Sequence, residues 1–242
     1  MSAHFDRTSD ARPGRLSLAW GVHAFTASGA VVGVAALLAI LEGSLARAGV
    51  LMLVALAIDS VDGTLARAAR VREVLPSFDG RRLDDMVDFL NYVIVPAVFF
   101  VAAGSLVSWH WAALPVLASA YGFSQENAKT DDDFFLGFPS YWNVVALYLW
   151  LLGVPPGLGT AVVALFSALV FVPLKYLYPS KMLRMRRTVV AAACLWLVAM
   201  LGGCVAPELA VRLRLVELSL TFPALYLGLS FWMGGLHRPA SP

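Results

Sequence analysis

The chain alternates long apolar runs with short polar connections, and the runs have the length of membrane-crossing helices. A helix needs about 20 mostly apolar residues to cross the hydrocarbon layer. Eight stretches approach or meet that need: residues 20–41, 46–69, 82–103, 109–123, 141–154, 159–176, 188–203 and 216–233, the fourth and fifth being the shortest. No alternation of apolar and polar positions points to a barrel, and no short-period repeat or low-complexity tract breaks the pattern. The pattern predicts an all-α, polytopic membrane helix bundle of about eight transmembrane helices. A polar cytoplasmic segment at residues 1–19 would precede a single transmembrane domain at 20–236 and a cytoplasmic tail at 237–242.

Composition agrees. Hydrophobic residues make up 60% of the chain and charged residues 14%, where a soluble domain has roughly a quarter charged. Mean hydropathy is +0.75. The 242 residues therefore leave room for several spans and no sizeable soluble domain. The net charge of +2 is less informative than where the charges sit. With the N-terminus inside, the inner segments carry fifteen Lys and Arg residues and the outer segments only Arg47, Arg212 and Arg214. An even number of spans then brings the C-terminus inside as well. The polar N-terminal segment lacks a small-residue cleavage site after a short apolar core, so no cleaved signal peptide is expected. Cys194 and Cys204 lie in or beside one apolar segment without ligand-spaced partners and read as packing thiols. No nucleic-acid partner is expected.

Against this apolar background, the stretch from residue 59 to 88 stands out. It carries Asp59, Asp62, Asp84, Asp85 and Asp88 with several arginines, at the facing ends of the second and third apolar runs. Asp59 and Asp62 are three apart, and Asp84 and Asp88 four apart, so each pair shares a helix face. Two neighbouring helices can point all four into one space, where close carboxylates repel strongly at low dielectric unless cations neutralise them. Clustered hard oxygens suit Mg²⁺ or Mn²⁺. Gly63, Ala66 and Gly80 leave room for a flat ligand near the backbone, and Arg67 lies one turn past Gly63, within reach of a phosphate. Asp79 and Asp85 fall off the shared faces and read as solvated helix ends. His4, His23, His110 and His237 are scattered and form no nucleophilic grouping; His23 lies within a span, facing the bundle or simply packed as a structural histidine.

These residues resemble the signature of the CDP-alcohol phosphotransferases, D-x-x-D-G-x-x-A-R followed by G-x-x-x-D-x-x-x-D. Here it reads Asp59, Asp62, Gly63, Ala66 and Arg67, then Gly80, Asp84 and Asp88, with every fixed position present. The spacer between Arg67 and Gly80 is longer than the family's usual one. With "VREVLP" inside it, "HAFTASGAVVG" near the start and "AKTDDDFFLGFPSYWNVVALY" at 128–148, it is similar to the bacterial phosphatidylcholine synthase branch. The last third matches by hydropathy alone. The resemblance implies transfer of the phosphatidyl group of CDP-diacylglycerol to choline with release of CMP. It implies two Mn²⁺ or Mg²⁺ ions held by Asp59, Asp62 and Asp84 with Asp88 nearby. Asp88 is implied as the base, and Asp62, Gly63, Ala66, Arg67 and Gly80 as the CDP contacts. It also implies a multi-pass protein of the bacterial inner membrane with its active site on the cytoplasmic side, among membrane lipids; a homodimer comes over by analogy only.

Choline offers no N–H donor, and aromatic faces and carboxylates recognise it instead. The loop "NAKTDDDFFLGFPSYWN" carries both, on the expected cytoplasmic side. Asp131, Asp133, Tyr141 and Trp142, with Glu126 close by, are the candidate choline contacts. Lys129, Lys181 and Arg184 are candidates for a lipid phosphate, the last two in a basic cluster that is also the positive flank of a span. A sister enzyme taking serine, glycerol 3-phosphate or inositol phosphate is the first alternative; phosphorylated acceptors would want an extra basic pocket. An aspartate-based metal-ion transporter is the second, but its polar groups belong near mid-bilayer.

Overall fold

The computed structural model describes residues 13–125, 134–177 and 186–234. Eight helices follow the eight apolar stretches: α1 (Pro13–Leu41), α2 (Leu45–Ala68), α3 (Gly80–Ala102), α4 (Ala113–Phe123), α5 (Trp142–Leu151), α6 (Pro156–Val170), α7 (Arg186–Val205) and α8 (Leu215–Met233). Five of these contain stretches long and apolar enough to cross a membrane, within α1, α2, α3, α7 and α8. The remaining three are shorter, and a 3₁₀ turn at Trp109–Ala112 extends α4. The chain is a multi-pass, all-α membrane bundle.

Two details depart from the pattern. Helix α1 is already helical at Pro13, seven residues ahead of the expected start at residue 20. The sixth stretch does not stay helical to residue 176. Helix α6 ends at Val170, and Lys175–Leu177 (β2) pairs antiparallel with Phe134–Leu136 (β1), with Phe135 opposite Tyr176. Pro173 breaks the helix. Three-residue strands leave no hydropathy signature, so nothing in the apolar pattern announced them.

Contacts sort the helix ends into two sets. At one end, the Val107 N–H donates to the Thr160 hydroxyl at 3.0 Å, and a Cβ on Gly159 would meet the Ser105 carbonyl at 2.2 Å. Gly49 faces the Cys204 sulfur, and Gly203 faces Leu151 and Val216. At the other end, Gly80 faces His23, Gly137 faces the Val170 carbonyl, and Gly234 faces Lys175. Successive connections thus alternate between the two ends.

Small residues set the closest helix approach. Buried Gly29, Gly33 and Ala36 form a stripe on α1, the kind of surface that lets helices meet where lipid provides no hydrophobic drive. Asn91 of α3 fills the resulting groove, its amide donating to the carbonyls of Gly29 (3.0 Å) and Val87 (3.1 Å). The α3 ladder widens into a π-turn over Phe89–Ile94, just ahead of Pro96, which has no N–H to offer. The last third docks through a buried polar cluster: the Trp196 indole N–H donates to the Tyr148 hydroxyl (2.9 Å), which meets the Ser219 hydroxyl at 2.8 Å.

Candidate active site

The last turns of α2 and the first turns of α3 face each other beside α1. Asp59 and Asp62 come from α2, Asp84 and Asp88 from α3. All four line one narrow pocket, together with Thr26, Gly29, Ala55, Ile58, Val87, Asn91 and Tyr92. Carboxylate oxygens of Asp59, Asp84 and Asp88 lie within 4.8 Å of one another. Asp62 stands beside them, buried, near Thr26, Gly63 and Asp84, with Arg67 as the nearby cation.

The donor set fits a hard divalent cation. Ligands on opposite sides of an octahedral Mg²⁺ stand about 4.2 Å apart, from bonds of about 2.1 Å. A trio spread over 4.8 Å is close to that span and offers oxygen only. Three carboxylates in one half-buried cluster repel one another unless a cation or a shared proton intervenes.

The motif's remaining positions take different places. Gly63 is half-buried, and a Cβ there would meet the Arg67 guanidinium at 3.3 Å, so Arg67 folds back over it. Arg67 is exposed and donates to the Thr64 hydroxyl at 3.1 Å. Ala66 packs against a small apolar cluster with Val71, Val74 and Leu75, the "VREVL" part of the spacer. Gly80 opens α3 against the His23 ring, where a Cβ would come within 2.6 Å. His23 is buried between Trp20 and Phe78, and its Nε2 has no hydrogen-bond partner among the described residues. Asp79 caps α3 by accepting from the Arg82 N–H at 3.1 Å, and it is exposed, as a helix-end residue should be.

Of the choline candidates, Asp131, Asp133 and Glu126 lie outside the described residues, as do Lys129, Lys181 and Arg184 for the lipid phosphate. Tyr141 and Trp142 are described and differ sharply. Trp142 is fully buried, its indole N–H donating to the Ser119 hydroxyl at 2.7 Å and its ring packed edge-on with Phe100 and Phe138. Its surface belongs to the core. Tyr141 is half-buried, with its ring 6.2 Å from that of Tyr92. Tyr92 and Asn91 were not singled out by the motif. Tyr92 continues the Asp84, Asp88 stripe by one more turn, so extending the four-residue spacing would have found it; its hydroxyl donates to Asp59 Oδ2 at 2.6 Å.

No family model matches the chain. It is 38% identical over 223 residues to a phosphatidylcholine synthase of Legionella pneumophila, with 88% of each chain covered. To a phosphatidylcholine synthase of Pseudomonas aeruginosa it is 35% identical over 218 residues, covering 88% of this chain and 91% of the relative. A phosphatidylcholine synthase of Borreliella burgdorferi is 36% identical over 175 residues, or 71% of this chain and 75% of the relative. Aligned with these relatives over 71% to 88% of its length, and carrying all four aspartates of the signature in one pocket, the chain belongs to the bacterial phosphatidylcholine synthase branch of the CDP-alcohol phosphotransferases.

Proposed function

We propose that the protein transfers the phosphatidyl group of CDP-diacylglycerol to choline and releases CMP, at the cytoplasmic end of an eight-span bundle in the bacterial inner membrane. The observation that carries the reading is the convergence of Asp59, Asp84 and Asp88 within 4.8 Å at one end of the bundle, with Asp62 in the same cavity. Two Mg²⁺ or Mn²⁺ ions held by these carboxylates would neutralise the pyrophosphate oxygens and the departing CMP. Asp88 takes the proton of the choline hydroxyl. The choline oxygen forms a bond to the phosphorus that carries the diacylglycerol, and the bond from that phosphorus to the CMP oxygen breaks. Direct displacement needs no covalent intermediate. Asp62, Gly63, Ala66, Arg67 and Gly80 shape the CDP side, and Arg67, exposed and near Asp62, would hold a donor phosphate. Residues 20–236 act as one transmembrane domain, and a homodimer rests on family analogy.

The deciding experiment uses the purified full-length protein in liposomes containing CDP-diacylglycerol, with Mn²⁺ or Mg²⁺ supplied. CMP release should depend on added choline, stop on chelation and return with the metal. Equal CMP release with serine or glycerol 3-phosphate would overturn choline as the acceptor while leaving the phosphotransferase reading. A failure of every one of these acceptors to release CMP from CDP-diacylglycerol would overturn both.

Orientation has its own test. Val107 and Gln125 are both exposed and lie at opposite ends of the α4 segment. In a Cys194→Ser background, Val107→Cys should react with a membrane-impermeant thiol reagent in intact spheroplasts. Gln125→Cys should react only after permeabilisation. The reverse pattern would put the carboxylate end outside.

A further inference from the structure

A row of three tyrosines runs from the carboxylate cavity to the last helix. Tyr92 of α3 lines the cavity, buried, with its hydroxyl on Asp59. Its ring lies 6.2 Å from the ring of Tyr141, just before α5, at an interplanar angle of 63°. Tyr141 in turn lies 6.1 Å from Tyr226 of α8, at 69°. Edge-to-face contacts of this kind stabilise the row. The far end is anchored: the Tyr226 hydroxyl donates to the Leu177 carbonyl at 3.0 Å, and the Leu177 N–H donates to the Ser230 hydroxyl at 3.1 Å. Unlike Tyr92, Tyr141 and Tyr226 are only half-buried.

We propose that Tyr141 and Tyr226 form the wall that receives the trimethylammonium group of the acceptor, and that Tyr92 positions this wall beside Asp59. The inference rests on the phosphatidylcholine synthase reading and names residues for its acceptor side, one of them in the last third of the chain. The argument is steric and electrostatic. In choline an ethylene bridge joins the hydroxyl to the quaternary nitrogen, so the cation must settle next to the carboxylates that handle the hydroxyl. The tyrosine row begins inside that cavity and leads out of it. A quaternary ammonium gains from π faces and from a nearby carboxylate without needing a hydrogen-bond acceptor aimed at it. Trp142, with its ring inside the core, has no such open face. Tyr92 acts through Asp59 and its ring neighbour, as a positioning residue. The placement also gives α8 a reason to reach the site: without Ser230 and Leu177 holding it, the Tyr226 ring would lose its seat.

The test compares Tyr141→Phe, Tyr141→Leu, Tyr226→Phe and Tyr226→Leu with wild type in CDP-diacylglycerol liposomes. Choline is assayed beside its neutral isostere 3,3-dimethylbutan-1-ol. Leu keeps bulk without a π face. Each Leu variant should raise the choline KM by roughly two- to thirty-fold, with the CDP-diacylglycerol KM unchanged. It should also lose part of the preference for choline over the isostere. Each Phe variant should keep both. The inference is overturned if the Leu variants retain the wild-type choline KM and preference. It is equally overturned if Phe is as damaging as Leu, because the hydroxyl network and not the ring would then matter. Wild-type enzyme that releases no CMP with choline would instead remove the acceptor reading, and this inference with it. Where a Leu variant fails to fold, Tyr226→Met or Tyr141→Met is measured against the same two outcomes.

Discussion

Asp59→Asn, Asp62→Asn, Asp84→Asn and Asp88→Asn should each bring choline-dependent CMP release down by roughly 10²–10³-fold or more. A divalent ion supplies several kcal/mol of charge stabilisation to the transferring phosphoryl group, and each 1.36 kcal/mol lost is about a factor of ten in rate. Asn is nearly isosteric with Asp and still offers one oxygen, so the change removes charge and leaves packing alone. Relieving repulsion among the trio of Asp59, Asp84 and Asp88 should leave the metal-free protein as stable as wild type, or more so. Monodispersity in detergent and the thermal midpoint without metal therefore serve as the control. Mn²⁺ should raise the wild-type midpoint by binding only the folded state, and the variants should show a smaller rise. A variant with near-normal turnover at saturating Mn²⁺ would take that residue out of the site.

Gly33→Val should destabilise the bundle by about 2–6 kcal/mol. A Cβ at Gly33 would meet Asn91 Oδ1 at 2.6 Å and Leu90 at 3.0 Å. Overpacking of this kind costs about 1–3 kcal/mol. Moving α1 away from α3 also strands the buried Asn91 amide, at a further cost of about 1–3 kcal/mol. Because Asn91 and Asp88 sit within one turn of α3, the shift would also disturb the carboxylates, and activity should fall with stability. Gly21→Val is the control, on the same helix with nothing within 4 Å of its would-be Cβ. Equal thermal midpoints for the two variants would show that the α1–α3 contact yields without cost.

The sequence by itself determined the class of the fold and the identity of the four carboxylates that gather in one pocket, and there are physical reasons for both. A bilayer forces each crossing segment to satisfy its own backbone hydrogen bonds, so long apolar runs read as helices without knowledge of their neighbours. The spacings of Asp59 with Asp62 and of Asp84 with Asp88 are local helical geometry, and charged groups beside apolar runs are too costly to be incidental. Other features depend on residues far apart in the chain. Trp142 and Tyr141 are adjacent and both aromatic, yet one is sealed in the core by Ser119, Phe100 and Phe138 while the other meets Tyr92 and Tyr226. The strand pair of Phe134–Leu136 with Lys175–Leu177 needs both segments at once, since neither is long enough to declare itself. His23 against Gly80, and Tyr226 of α8 against Tyr141, were likewise decided only when the helices packed. Periodicity records which face a residue shares with its own helix; which partner covers that face is set by the packing of all the helices together.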